Sequence, residues 1–138
     1  LAAVVFILDR RLYARVAEEQ VAALEREARL LGVQWTSRSL ADSLADAAGA
    51  VTGHRVTLIT ADGTVLGDSQ FDGPGLARLE NHGGRPEVRD ALRDGSGRAR
   101  RVSASAGGEE LYVAGRAPLG LARLSVKPAL VAPIFERS

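Results

Sequence analysis

The sequence predicts an α+β domain in which a long N-terminal helix packs on a five-stranded antiparallel sheet, with a short helix between strands 2 and 3. Three observations predict it. Residues 9–51 contain no proline and only Gly32 and Gly49 as glycines, while Ala, Leu, Glu and Arg, all strong helix formers, dominate. Five extended runs follow, several joined by turns short enough to force neighbouring strands antiparallel. Between the second and third runs, Pro86 opens a brief amphipathic helix and Gly95-Ser96-Gly97 stops it.

Taken in order, Leu1 to Leu8 (LAAVVFIL) is an uninterrupted apolar run followed at once by Asp9, Arg10 and Arg11. A membrane crossing needs about 20 apolar residues. The segment 1–8 is therefore expected to be the trailing end of a truncated transmembrane helix; the alternative is a buried helix start in a soluble protein. A signal peptide fits less well, since no basic leader precedes the run and no small-residue cleavage site follows. Methionine is absent even at position 1, so the chain reads as a fragment or a processed piece.

Residues 9–52 are expected to form one long signalling helix. Val21, Leu24, Ala28, Leu31 and Trp35 recur at steps of three and four, a heptad-like stripe. Leu40, Leu44, Ala47 and Val51 continue the spacing, but only after a step of five, which turns the apolar face by about 140°. The first face is expected to meet a partner helix, most simply its symmetry mate in a homodimer. The second is expected to pack across the concave face of the sheet. The alternative is two helices broken near Gly32 to Ser37, where Gly, Thr and Ser lower the helix propensity.

Residues 53–127 hold the sheet. Arg55–Thr60 and Thr64–Asp68 flank Asp62-Gly63, a dipeptide suited to a two-residue type I′ hairpin. Phe71 to Gly75 is a turn or loop, and Leu76 to His82 has room for one helical turn. The helix opened by Pro86 turns Val88, Ala91 and Leu92 inward. Arg98–Ser105, Glu109–Ala117 and Leu121–Lys127 complete the strands, with Gly107-Gly108 and Pro118-Leu119-Gly120 as connections. Alternation of Leu111, Val113 and Ala117 with Tyr112, Ala114 and Arg116 suggests that one sheet face is wetter than the other. Residues 128–138 lead toward a second membrane span or end the chain in some other way; Pro133 leaves both open.

Composition excludes several function classes. At 138 residues the chain fits one domain with a core of its own. A net charge of +1 gives no reason to expect nucleic acid. With no cysteine there is no disulfide and no thiolate chemistry. No serine sits in a G-x-S-x-G elbow, and neither a Walker nor a GxGxxG loop appears. Asp62, Asp68 and Asp72 do not form a metal motif, no HExxH or EF-hand spacing exists, and His54 is isolated. No catalytic residue, cofactor or metal is expected.

The candidate contact residues are Asp68, Ser69, Asn81, His82, Arg85 and Tyr112, all near one expected sheet edge. Asn81, His82 and Arg85 are placed to donate hydrogen bonds to an anionic or carbonyl ligand, and histidine titrates near neutral pH. The competing reading is that Asn81 and His82 only tie their loop to the sheet. Arg85, Arg89 and Arg93 share a helix face, with Arg98, Arg100 and Arg101 on the next strand. Glu87, Asp90 and Asp94 lie among them, which favours a solvated, self-paired surface over a phosphate or lipid site.

The ordered set Asp62-Gly63, Asp68-Ser69, Glu80-Asn81-His82, Arg85-Pro86-Glu87 and Leu111-Tyr112-Val113-Ala114 resembles the extracytoplasmic sensor domain of phosphate-regulon-type sensor histidine kinases, a PAS-like or single-Cache fold. The resemblance implies a non-catalytic receptor domain at the inner membrane, facing the periplasm. It also implies membrane anchoring in the full-length protein, a homodimer built through the N-terminal helix, and a small-molecule or protein stimulus. The phosphoacceptor helix and the ATP-binding domain of such kinases are not in these residues. The alternative is a dimerisation or protein-interaction module of the same fold whose pocket is filled by its own side chains.

Overall fold

A computed structural model describes residues 2–102 and 108–128, with side chains from Asp9 onward. Helix α1 (Ala2–Gln34) is followed by a 3-10 turn (Arg38–Leu40), α2 (Ala41–Thr52), β1 (Arg55–Thr60) and β2 (Val65–Asp68). Two short helices, α3 (Gly73–Ala77) and α4 (Pro86–Asp94), precede β3 (Ser96–Val102), β4 (Glu109–Ala117) and β5 (Gly120–Val126). The strands form one open sheet in the order β2-β1-β5-β4-β3, and every neighbouring pair is antiparallel. The α+β architecture is the one expected from the sequence.

The helix of 9–52 is not continuous. It ends at Gln34, as in the two-helix alternative. The break is built around Trp35, whose backbone N–H donates to the Gly32 carbonyl at 3.2 Å and whose indole N–H donates to the Ser37 carbonyl at 2.9 Å. Trp35 is 1% exposed, so burying the ring fixes the turn and releases α2 in a new direction.

Both helices cover one face of the sheet, α1 across β4 and β5 and α2 across β1 and β2. That face presents Val56, Leu58, Val113, Ala122, Leu124 and Val126, and against it lie Val21, Leu24, Ala28, Leu31 and Trp35. The stripe assigned to a partner helix is therefore the core-facing surface of its own domain. Of the second stripe, Leu44 packs against this core but the rest does not. Leu40 and Val51 are 53% and 87% exposed, and α2 turns Ala41 and Ala45 to the sheet instead. Close approach sets this geometry: Gly115 lies under Ala28 and Arg29, and Gly67 under the backbone of Ala41, where any Cβ would collide. Burial on α1 begins at Val21, and no side chain from Asp9 to Gln20 is buried. Among the described residues, no helix is long and apolar enough to cross a membrane.

The opposite face is covered by α4, which seats Val88 and Ala91 on Ile59, Ala114 and Leu121. It is not a wet face. Arg55, Thr57, Asp68, Arg123 and Ser125 on it are buried too, and most of them build the site described below. The β1–β2 hairpin also departs from the expected two-residue turn. Gly63 N–H donates to the Thr60 carbonyl, and Thr60 N–H to the Thr64 carbonyl, each at 2.9 Å, so the loop is the three residues Ala61, Asp62 and Gly63. Gly63 has φ +89°, the left-handed residue of such loops. Asp62 favours this form because its carboxylate accepts from Thr64 N–H and from the Thr60 hydroxyl, which holds it down at a pKa of about 2.

Candidate functional site

The register of the sheet aligns Asp68, Thr57, Arg123, Ala114 and Gly97 in one row across all five strands. The next row on the same face is Arg55, Ser125, Tyr112 and Ala99. Ala114 and Gly97 are small because α4 lies directly over them; a Cβ on Gly97 would strike the α4 backbone at Glu87 and Ala91. The remaining positions carry charge into the interior.

Arg55 reaches the Asp68 carboxylate through Nε at 3.1 Å and Nη2 at 2.9 Å, and Thr57 donates its hydroxyl to the same carboxylate at 2.9 Å. Arg123, 1% exposed, donates to Glu87 at 3.1 Å and to Thr57 at 3.3 Å. Arg101 closes the chain with a two-pronged contact to Glu87. Tyr112 is stacked against both guanidinium groups, with Cζ of Arg101 at 4.0 Å and of Arg123 at 4.6 Å from the ring centre. Five charged residues thus form one network spanning β1, β2, β3, β5 and α4, buried except at the partly exposed Arg101.

Electrostatics follow from that geometry. Burial alone would raise the Glu87 carboxyl, but the hydrogen bond from Arg101 and the charges of Arg123 and Arg101 hold it below its ordinary range. Burial lowers the Arg123 guanidinium to about 10, with Glu87 opposing and Arg55 adding to the drop. Among the described residues, the network pairs three guanidinium groups with two carboxylates.

Beside it, a cavity of about 470 Å³ is lined by Phe71, Gly75, Arg78, Leu79, Glu80, His82 and Arg85. His82 and Arg85 close one turn, since Arg85 N–H donates to the His82 carbonyl at 3.0 Å, and Pro86 then starts α4. His82 is 2% exposed. Burial first, then the charges of Arg123, Arg85 and Arg55, push its pKa from 6.5 down to about 4, with a hydrogen bond to the Glu80 backbone opposing. Its Nδ1 has no hydrogen-bond partner among the described residues, like Arg123 Nε and Ser125 Oγ.

The sign of the His82 shift makes a prediction. Between pH 6.5 and about 4 the unfolded chain takes up a proton that the folded chain excludes. Stability is then fully present above pH 6.5 and falls as pH drops through that window, by about 3 kcal/mol in all. Urea midpoints measured from pH 7 to 4.5 should decline more steeply for the native chain than for His82→Gln. Parallel curves would refute the assignment.

The six expected contact residues divide. His82 and Arg85 line the cavity, whereas Asp68 and Tyr112 belong to the buried network beside it. Asn81 follows the structural reading, with its Nδ2 donating to the Asp62 carbonyl at 2.9 Å and its Oδ1 accepting from Gly83 N–H at 2.7 Å. Ser69 is also structural: its hydroxyl accepts from Val56 N–H at 2.9 Å, extending the β1–β2 ladder on the side away from the cavity. The arginine cluster is only partly self-paired. Arg93 bonds Asp90 and Asp94, while Arg98 crosses to Glu18 and Glu25 on α1 and Arg100 meets Glu109. Of the carboxylates weighed for a metal, Asp68 and Asp62 have partners, and Asp72 instead lies within 4.8 Å of Asp42 and Asp46. Burial and mutual repulsion raise the pKa of both Asp42 and Asp46.

Sequence reasoning missed Arg55, Arg123, Glu87, Phe71 and Arg78. Signals for two of them existed. Arg123 interrupts an otherwise apolar strand, and Glu87 stands one turn before the inward Ala91. No family model matches the chain, and no curated protein matches it.

Proposed function

We propose that this chain is the non-catalytic sensor domain of a membrane-bound two-component histidine kinase, extracytoplasmic and dimeric. The observation that carries the proposal is the division of labour between the two faces of the sheet. One face holds an arginine-lined cavity beside a buried charge network. The other holds α1, in which no side chain from Asp9 to Gln20 is buried and which carries the apolar run Leu1–Leu8 ahead of them in sequence. A stimulus at the cavity acts on β1 and β5 through Arg55, Thr57 and Arg123, and the same strands support α2 and α1 from behind. Transmission requires that the stimulus bind one arrangement of those helices better than another.

With the heptad stripe consumed by the core, the dimer contact moves to the opposite side of α1. Leu12, Val16, Leu30 and Val33 are exposed there, and Leu30 borders an apolar groove shared with Leu44, Ala47 and Val51 of α2.

A second reading is favoured by the network itself. The space between the sheet and α4 is occupied by the domain's own arginines and acids, as expected of an interaction module without a ligand. Thermal unfolding of the 138-residue chain against a metabolite panel separates the two, because a ligand of the folded state raises Tm by mass action. Removing Asp9–Arg29 is not a usable control, since it strips Val21, Leu24 and Ala28 from the core. Leu30→Glu and Val51→Glu serve instead. The sensor reading expects stabilising compounds; no shift from any compound, with dimers lost in those two variants, would establish the interaction module.

A further inference from the structure

We propose that the cavity beside α3 binds a small organic carboxylate through Arg85 and Arg78, with Glu80 standing in for the ligand's carboxylate when the cavity is empty. This inference rests on the sensor reading and names the chemical class of its stimulus.

The charge balance of the lining points to an anion. Arg78 has no carboxylate partner among the described residues, and Arg85 has only Glu80, at 3.4 Å. That pair is weak by its geometry and by the 72% exposure of the Glu80 side chain. A planar guanidinium prefers a two-pronged carboxylate at shorter range. Behind the lining, the charges of Arg123 and Arg55 reach His82 and add positive potential there.

The cavity also requires carbon. Phe71 and Leu79 form part of its wall, the Phe71 ring lies 5.1 Å from Arg55 Cζ, and about 470 Å³ is far more than a lone inorganic oxyanion fills. The third element is His82, which lines the cavity while almost wholly buried and carries a ring nitrogen without a partner. A buried unmet nitrogen costs stability unless something completes it. A ligand with a second polar group, such as a hydroxyl or a second carboxyl, would do so. The lining runs from Phe71 through α3 to Arg85, and its last turn is positioned by Pro86 and by His82 N–H donating to the Gly63 carbonyl at 2.9 Å.

The test is calorimetric titration of the 138-residue chain at constant ionic strength with succinate, malate and citrate. Succinamide and inorganic phosphate serve as comparison probes. At least one carboxylate should bind, with the diamide and phosphate at least tenfold weaker. Arg85→Ala should weaken binding about 10- to 100-fold, the loss of a charge-assisted contact. Glu80→Gln should strengthen it by up to about fivefold, since it removes an exposed competitor. Unfolding curves of both variants without ligand show whether either change acts by loosening the fold, and exposed Arg78→Ala provides an independent arm.

Equal binding of phosphate or the diamide overturns the proposal, as does an Arg85→Ala variant with native affinity or the absence of any carboxylate binding. Failure of the broader sensor reading looks different. Carboxylates would bind as described, yet signalling by the full-length receptor would not respond to them. Conversely, a cationic or neutral stabilising ligand would preserve the sensor reading and remove this inference.

Discussion

Glu87→Ala should lower the unfolding free energy by about 3–5 kcal/mol, the range for removing one partner of a buried ion pair. Glu87 is fully buried and accepts from both Arg101 and Arg123. Its loss strands Arg123, which is 1% exposed, lies near Arg55 and has no other carboxylate partner among the described residues. The penalty therefore comes mainly from an uncompensated buried cation rather than from the lost contacts. That distinction can be measured. Replacing both partners, as in Glu87→Leu with Arg123→Met, should be far milder than Glu87→Ala, because well-packed apolar pairs often match a buried ion pair. Denaturant unfolding of the native chain, the two single variants and the double variant completes the cycle. Additive costs would mean that the two residues do not form a coupled pair.

Trp35→Ala should cost about 3–5 kcal/mol, the range for truncating a buried aromatic residue. Two contributions add. The ring leaves a void among Leu31, Ala41 and the sheet, and the indole N–H no longer satisfies the Ser37 carbonyl. Trp35→Phe helps separate them, since it loses the hydrogen bond while leaving a much smaller void than Trp35→Ala. Urea unfolding should rank native, Trp35→Phe and Trp35→Ala in falling stability. If Trp35→Ala were as stable as the native chain, the turn between α1 and α2 would not depend on this residue.

The fold was largely legible because it rests on local chemistry. Helix formers without proline, an Asp-Gly hairpin, Pro86 at a helix start and Gly95 at its end each act within a few residues. The candidate site was legible only in part. His82 and Arg85 stood out as polar residues in a glycine-bordered loop, and both line the cavity. Arg123 and Arg55 did not stand out, because a charged residue in a strand reads as exposed until the strand proves to be central and covered on both faces. Arg101 and Glu87 looked like two among many surface charges. The register that brings β3 and α4 together selects that one pair and leaves Arg93 to its helix neighbours.

The apolar stripe on α1 marks most clearly where local reading ends. Periodicity establishes that Val21, Leu24, Ala28, Leu31 and Trp35 share a face that must leave water, but it is silent on what covers them. A partner helix and the domain's own sheet satisfy the same pattern. Tertiary packing chose the sheet, because Gly115 lets the α1 backbone come close to β4 and burying Trp35 turns the chain before α2. From the sequence alone came the five strands, the helix opened by Pro86, their order and the antiparallel pairing of the later strands. Only the folded chain decided which apolar face became core, which charges were drawn inside and which arginines were left facing an open cavity. Those outcomes depend on contacts between residues far apart in the chain, and no local pattern encodes them.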